Sequence, residues 1–557
     1  TWNGSKGAAS RAGNLSTTQL AALAPSYAKS NTATDYLNYL RGDRTNESTS
    51  TATGSTKALR SRTLLLGDIV NAKVTPVGPP GSTYAENSNP GYAAFKTKWN
   101  ARPTMVYVGA NDGMLHAFNG ALTGSTAGTE QFAYVPSALF QGPNGTPQVD
   151  GLAQLGNPSY AHHYYVDATP LAFDIDFGSA GGTFTTKSDG TGADWHTLLI
   201  GRLGKGGKGN YAIDVTDPAS MSTEAAVAGQ VKWEFTDTTM GYSYGAPIVV
   251  KTKKYGWVVM LTSGYGNSDG KGYLYLVNPK TGALIEKIAT PTSSNGLTQA
   301  SAYVADFGDN TTDSVYAGDL DGQLWRFDLT AEKGSTGSYP APTLLATLTG
   351  GSTNAQPVTT APLIEIHPVS RKRFVLLGTG RLLDSSDVSS TAAQTFYAIL
   401  DGTAGAFSAV STPVTRSQLT QVTDVTAGIT LSNTSKGWYF DLGTTGGVGW
   451  RMVINPVAFN GIVGFSSLLT TGDACSPSGQ SRVYAVNYGT GRSVLLPSST
   501  GFVAVSSSVI DLRFVSVDGT TRIVAGTTKG ETKKVDADLA SGISLRLLNW
   551  REVPAMN

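Results

Sequence analysis

The chain has 557 residues, with 66 glycines, only 15% charged side chains and 41 Lys+Arg against 40 Asp+Glu, so it is rich in turns and poor in the solvated faces that helices carry. Near neutrality leaves no basic footprint to displace counterions along a phosphate backbone, which argues against a nucleic-acid partner. Cys475 is the single cysteine; this excludes an internal disulfide framework or a thiolate metal cluster, and leaves a small buried side chain or half of a bridge to a part of the protein outside this stretch.

No apolar run approaches the roughly 18 to 20 residues that a membrane-spanning helix needs. The start, Thr1-Trp2-Asn3, has neither an initiator Met nor a signal peptide and reads as a piece of something longer. Helical pattern is concentrated near this end. Ser16-Thr17-Thr18-Gln19 is a capping box ahead of Leu20 and Leu23, so a helix is expected to begin there. A second is expected from Thr32 to Arg41, opened by Thr32 with Asp35 three residues on, carrying Tyr36, Leu37, Tyr39 and Leu40, and stopped by Gly42. Residues 45–56 are polar and read as a linker.

Beyond residue 62 one pattern recurs seven times: a β-branched run, a Gly or Ser, a polar turn and an alternating strand. The first copy is Val106-Tyr107-Val108-Gly109 leading to Met114-Leu115-His116-Ala117-Phe118. The others are 198–201 with 211–215, 258–261 with 273–277, 315–318 with 324–327, 375–378 with 396–399, 462–465 with 483–486, and 523–526 with 531–535. An isolated hairpin cannot bury its apolar face, whereas radially arranged blades bury it against neighbours. The expected fold is therefore all-β, a seven-bladed β-propeller over residues 62–557 behind a helical segment and linker at 1–61. A pair of β-sandwiches is the rival.

Several constellations carry chemistry. Asp306-Phe307-Gly308-Asp309-Asn310-Thr311-Thr312-Asp313 is an oxygen-rich turn ahead of a strand. Its natural ion is Ca2+, which takes six to eight oxygens and tolerates irregular loops. Arg41-Gly42-Asp43 is the tripeptide that integrins read; the structural alternative is a local Arg41–Asp43 pair fixing the helix exit. The run Gly201-Arg202-Leu203-Gly204-Lys205-Gly206-Gly207-Lys208-Gly209 fails the Walker spacing and reads as a mobile hairpin loop. His116, His162, His163, His196 and His367 lack metal-ligand spacing, and the adjacent pair would face opposite sides of a strand. The Asp-Gly turns at 111–113, 267–270 and 319–322 are explained by hairpin turn chemistry.

Three strings carry a family resemblance. The first is Arg60-Ser61-Arg62-Thr63-Leu64-Leu65-Leu66-Gly67-Asp68-Ile69-Val70-Asn71. The second is the 106–118 hairpin, and the third is Val315-Tyr316-Ala317-Gly318-Asp319-Leu320-Asp321-Gly322-Gln323-Leu324-Trp325-Arg326-Phe327-Asp328. Together with Tyr39-Leu40-Arg41-Gly42-Asp43-Arg44, Tyr165-Val166-Asp167-Ala168-Thr169-Pro170 and Val453-Ile454-Asn455-Pro456, they resemble the C-terminal domain of the PilC/PilY family of type IV pilus tip-associated adhesins.

The resemblance implies a modified propeller of the quinoprotein-dehydrogenase type at the pilus tip or outer-membrane surface. It also implies roles in pilus assembly, retraction control, twitching motility and attachment, with minor pilins and a host receptor or glycan as partners. It implies a shortened EF-hand-like calcium loop as well. Here the loop is one residue shorter than the family pattern: Asp306 and Asp313 hold the ends, Asp309 and Asn310 compete for the middle, and Thr311 offers a carbonyl. No enzyme activity is expected. One alternative is a glycan- or receptor-binding propeller without a pilus role, with Trp195, Trp257, Trp325 or Trp438 as stacking platforms, although such tryptophans are more often blade core. The other is a quinone-dependent dehydrogenase, whose site typically uses a vicinal cysteine pair that one cysteine cannot supply.

Overall fold

The computed structural model describes residues 1–48, 57–351, 354–443, 449–472, 477–496, 501–517 and 520–539. Cys475 and most of the 45–56 linker lie outside them. Both expected helices form where their caps place them. In α1, Thr17–Ala22, Ser16 accepts from the Gln19 amide while the Gln19 side chain accepts from Ser16 N–H. In α2, Ala33–Leu40, Thr32 and Asp35 make the same reciprocal pair, satisfying amides that have no partner within the helix. Gly42 stops α2 with φ of 106°.

All seven hairpins of the sequence form, each as neighbouring strands of a separate sheet. The first sheet is Thr75–Val77, Met105–Ala110, Met114–Asn119 and Glu130–Tyr134. The second is Leu171–Asp176, Trp195–Arg202, Asn210–Asp214 and Val231–Phe235; the third is Ile248–Thr252, Gly256–Thr262, Lys271–Val277 and Leu284–Ser293. The fourth comprises Ala300–Val304, Thr312–Gly318, Gln323–Asp328 and Thr343–Thr347. In each of these four the hairpin supplies the two middle strands. Every residue of Gly256–Thr262 is buried, as expected of a strand covered on both faces.

The fifth sheet gains a fifth strand, Thr420–Gln421, running parallel to Gly437–Asp441, within one of the long insertions between hairpins. The sixth is built on Ile462–Gly472 and Pro477–Asn487, and the last has three strands among the described residues, Val509–Val517, Thr520–Thr527 and Thr532–Val535. A short parallel pair, Glu47–Ser48 with Leu59–Arg60, brackets the linker.

Two units emerge: Thr1–Val315 with Phe327–Pro342, and Tyr316–Arg326 with Thr343–Asn557. In the first unit the apolar faces of α1 and α2 share one cluster with the first two sheets, in which Leu23, Tyr36 and Leu37 meet Tyr107, Leu115, Leu152 and Tyr211. Each of these leucines contributes roughly 1.5–3 kcal/mol on burial. The Tyr36 hydroxyl donates to Ala153 O at 2.7 Å and accepts from Gly156 N–H at 2.8 Å, so its polar tip is satisfied. In the second unit Phe396 stacks on Phe465 at 4.0 Å beside Trp438.

Candidate functional site

Within the first unit a cleft of about 840 Å³ is lined by Arg41, Gly42, Asp112, His116, Glu130 and Glu224, with Leu64, Leu65 and Leu66 on its wall. The leucines are exposed, Leu64 by 76%. Their neighbours are pinned instead: Gly67 N–H donates to Asp112 at 2.8 Å, Asp68 accepts from Asn111 at 3.0 Å, and the Asn71 side chain donates to Asp167 at 2.6 Å. This segment is therefore tied down through its polar residues, while Leu64, Leu65 and Leu66 stay exposed.

His116 sits between two carboxylates, with Nδ1 2.6 Å from Glu130 and Nε2 3.1 Å from Asp112. Burial opposes the charged ring, but hydrogen bonds to Asp112 and Glu130 outweigh it and hold the imidazole pKa up at about 9. His196 repeats the arrangement, 2.7 Å from Asp214 and 2.9 Å from Asp194; burial is again outweighed by its carboxylates and its pKa is raised. Both histidines stand two residues before the one paired with the carboxylate across the hairpin, Phe118 with Glu130 and Leu198 with Asp214. Spacing along the chain hides this; the diagonal rule for strands exposes it.

Arg41-Gly42-Asp43 is placed at the helix exit, but Arg41 does not pair with Asp43. Its guanidinium reaches Glu224 at 2.5 Å and Ser10 O at 3.1 Å, which takes it away from the aspartate. Arg11 grips the same carboxylate at 2.9 Å, and these cations, Arg41 foremost, hold Glu224 below the usual carboxylate range. Asp43 accepts from Thr45 Oγ1 and N–H, which lowers its pKa.

The oxygen-rich turn is differently used. Asp306 accepts from Gly308 N–H at 2.8 Å, closing its own turn, and Asp313 accepts from Ser314 Oγ at 2.6 Å on the following strand. Asp309 faces the Lys251 ammonium at 2.7 Å. Asn310 adopts φ of 62° and its carbonyl accepts from Lys251 N–H at 2.9 Å, while Thr311 bridges Lys251 in parallel. Among the described residues no three His, Cys, Asp or Glu gather as a metal-holding group. With one carboxylate held by an ammonium and the others turned to local donors, the five residues as folded do not fit a six- to eight-oxygen cage.

Two further expectations change, and the stacking alternative loses its rings. The glycine-rich stretch is packed: Gly204 and Gly206 are buried, and Ser243 Oγ donates to Gly209 O at 2.8 Å and accepts from Leu203 N–H at 3.1 Å. Trp195, Trp257, Trp325 and Trp438 are all buried, so none of these four offers a ring face to a sugar. His162 and His163 lie outside any strand, and His162 pairs with Asp68 at 2.9 Å. Sequence reasoning also missed a buried network in the second unit, where Asp401 accepts from Arg326 at 2.5 Å and from Tyr316 at 2.7 Å, with Arg373 donating to Tyr316 at 3.2 Å.

Repeated, mainly antiparallel sheets, each built on a glycine-turned hairpin, are the strand pattern of the β-propeller class. Residues 66–436 match the family model described as PilY1 beta-propeller domain, and the chain belongs to that family. It is 31% identical over 532 residues to the type IV pilus biogenesis factor PilY1 of Pseudomonas aeruginosa strain PAK, covering 86% of this chain and 42% of that protein. A homolog from Xylella fastidiosa is 33% identical over 479 residues, covering 82% of this chain and 34% of the relative. The chain thus spans less than half the length of these curated relatives. The crystal structure of the Pseudomonas aeruginosa PilY1 C-terminal domain superposes with a TM-score of 0.61 at 26% identity, covering 84% of this chain and 99% of that one. The relatives are pilus-associated, and no described helix is long and apolar enough to cross a membrane.

Proposed function

We propose that this chain is the propeller domain of a type IV pilus biogenesis factor, its seven sheets serving as blades, and that it acts at the cell surface or pilus tip by docking partners rather than by turning over a substrate. The observation that carries this reading is the family match over residues 66–436. The internal pairing of charged residues in the cleft supports it, since Arg11 and Arg41 hold Glu224 while Asp112 holds His116. Minor pilins are the partners in pilus assembly, and attachment to a host receptor or glycan follows from tip placement. Support of pilus extension, retraction and twitching is part of the same reading. Calcium control is not carried into it, because the 306–313 residues offer no converged cage.

The test is deletion of the gene in its native bacterium with complementation by the full-length protein. Surface pilin recovered by shearing is expected to fall on deletion and to return on complementation. Unchanged surface pilin in the deletion strain would remove the biogenesis role.

A further inference from the structure

Lys251 lies on the Ile248–Thr252 strand and touches the oxygen-rich turn twice. Its backbone N–H donates to Asn310 O at 2.9 Å, and its ammonium donates to Asp309 Oδ1 at 2.7 Å and to Ser88 O at 2.9 Å. The side chain is only 13% exposed. From the neighbouring residues 85–89, Asn89 donates to Gly308 O at 2.8 Å and Ala85 N–H donates to the same carbonyl at 2.8 Å. The Asp309 carboxylate and the Gly308 and Asn310 carbonyls are therefore engaged by protein donors from outside the turn, and positive charge reaches it covalently tethered.

We propose that Lys251 is the built-in cation of this turn: its ammonium takes the place that a divalent metal would fill, so residues 306–313 hold their shape independently of calcium. A divalent ion here would have to collect at least six oxygens while sharing Asp309 with a fixed ammonium, and like charges at that range disfavour each other. The inference stands apart from the pilus assignment, which gene deletion tests by a different readout.

Calorimetric titration of the wild-type chain with CaCl2 to about 10 mM, beyond the weakest extracellular calcium modules, is expected to give no saturable heat. Its unfolding midpoint is expected to be equal in CaCl2 and in EDTA. Lys251→Met should lower the midpoint, and in a cycle with Asp309→Asn the double variant should lose less than the two single losses combined. Saturable calcium binding by the wild type that Asp313→Ala abolishes would overturn the proposal, as would strict additivity in the cycle. Should Lys251→Met fail to fold, the wild-type titration still decides.

Discussion

His116 gives the sharpest quantitative test of the folded charge pattern. Its imidazole is 7% exposed between Asp112 and Glu130, with a pKa raised from 6.5 to about 9. A folded-state pKa above the unfolded value means that the stabilisation is complete below about pH 6.5 and disappears as pH rises through about 9. At roughly 1.4 kcal/mol per pKa unit this amounts to about 3 kcal/mol. His116→Gln keeps a hydrogen-bonding side chain but removes the charge. Urea unfolding of both proteins, followed by tryptophan fluorescence between pH 6 and pH 10, isolates the contribution as their difference. That difference should be largest at pH 6 and shrink toward pH 10. His196 changes in the same direction in both proteins and cancels. A difference independent of pH would show that the ring is not held as a cation.

Asp401→Asn should destabilise the second unit by about 3 kcal/mol, because Arg326 is left buried without its carboxylate; urea unfolding of the variant should move well below wild type, and an unchanged midpoint would refute the network's role. Gly206→Ala should disrupt the packed glycine stretch, since a Cβ there would collide with the Tyr165 carbonyl oxygen. Its far-ultraviolet spectrum and proteolysis pattern check this, and wild-type resistance to proteolysis would show that the stretch yields instead.

The seven hairpins were legible because each is a local event: a strand, a turn residue able to take positive φ, and a strand of matching alternation. Gly113 and Gly322, with φ of 91° and 72°, are examples of turns that the sequence names directly. The helices were legible for the same reason, through caps three residues apart. What the sequence hid is pairing across distance. Glu224 is 183 residues from Arg41 and Lys251 is 58 from Asp309, and no spacing rule joins them. One arm of a histidine bracket was recoverable, since the hairpin of 198–201 with 211–215 makes Asp214 the diagonal neighbour of His196, whereas Glu130 reaches His116 from a strand outside the seven hairpins, across a register shift. Asp401, ending the apolar run Phe396-Tyr397-Ala398-Ile399-Leu400, likewise signalled a partner, because a carboxylate there must be paired to be buried. The acidic turn marks the limit of such reading. Its composition specifies oxygen ligands, but whether they meet a metal or an ammonium depends on a strand that the turn's own sequence does not contain.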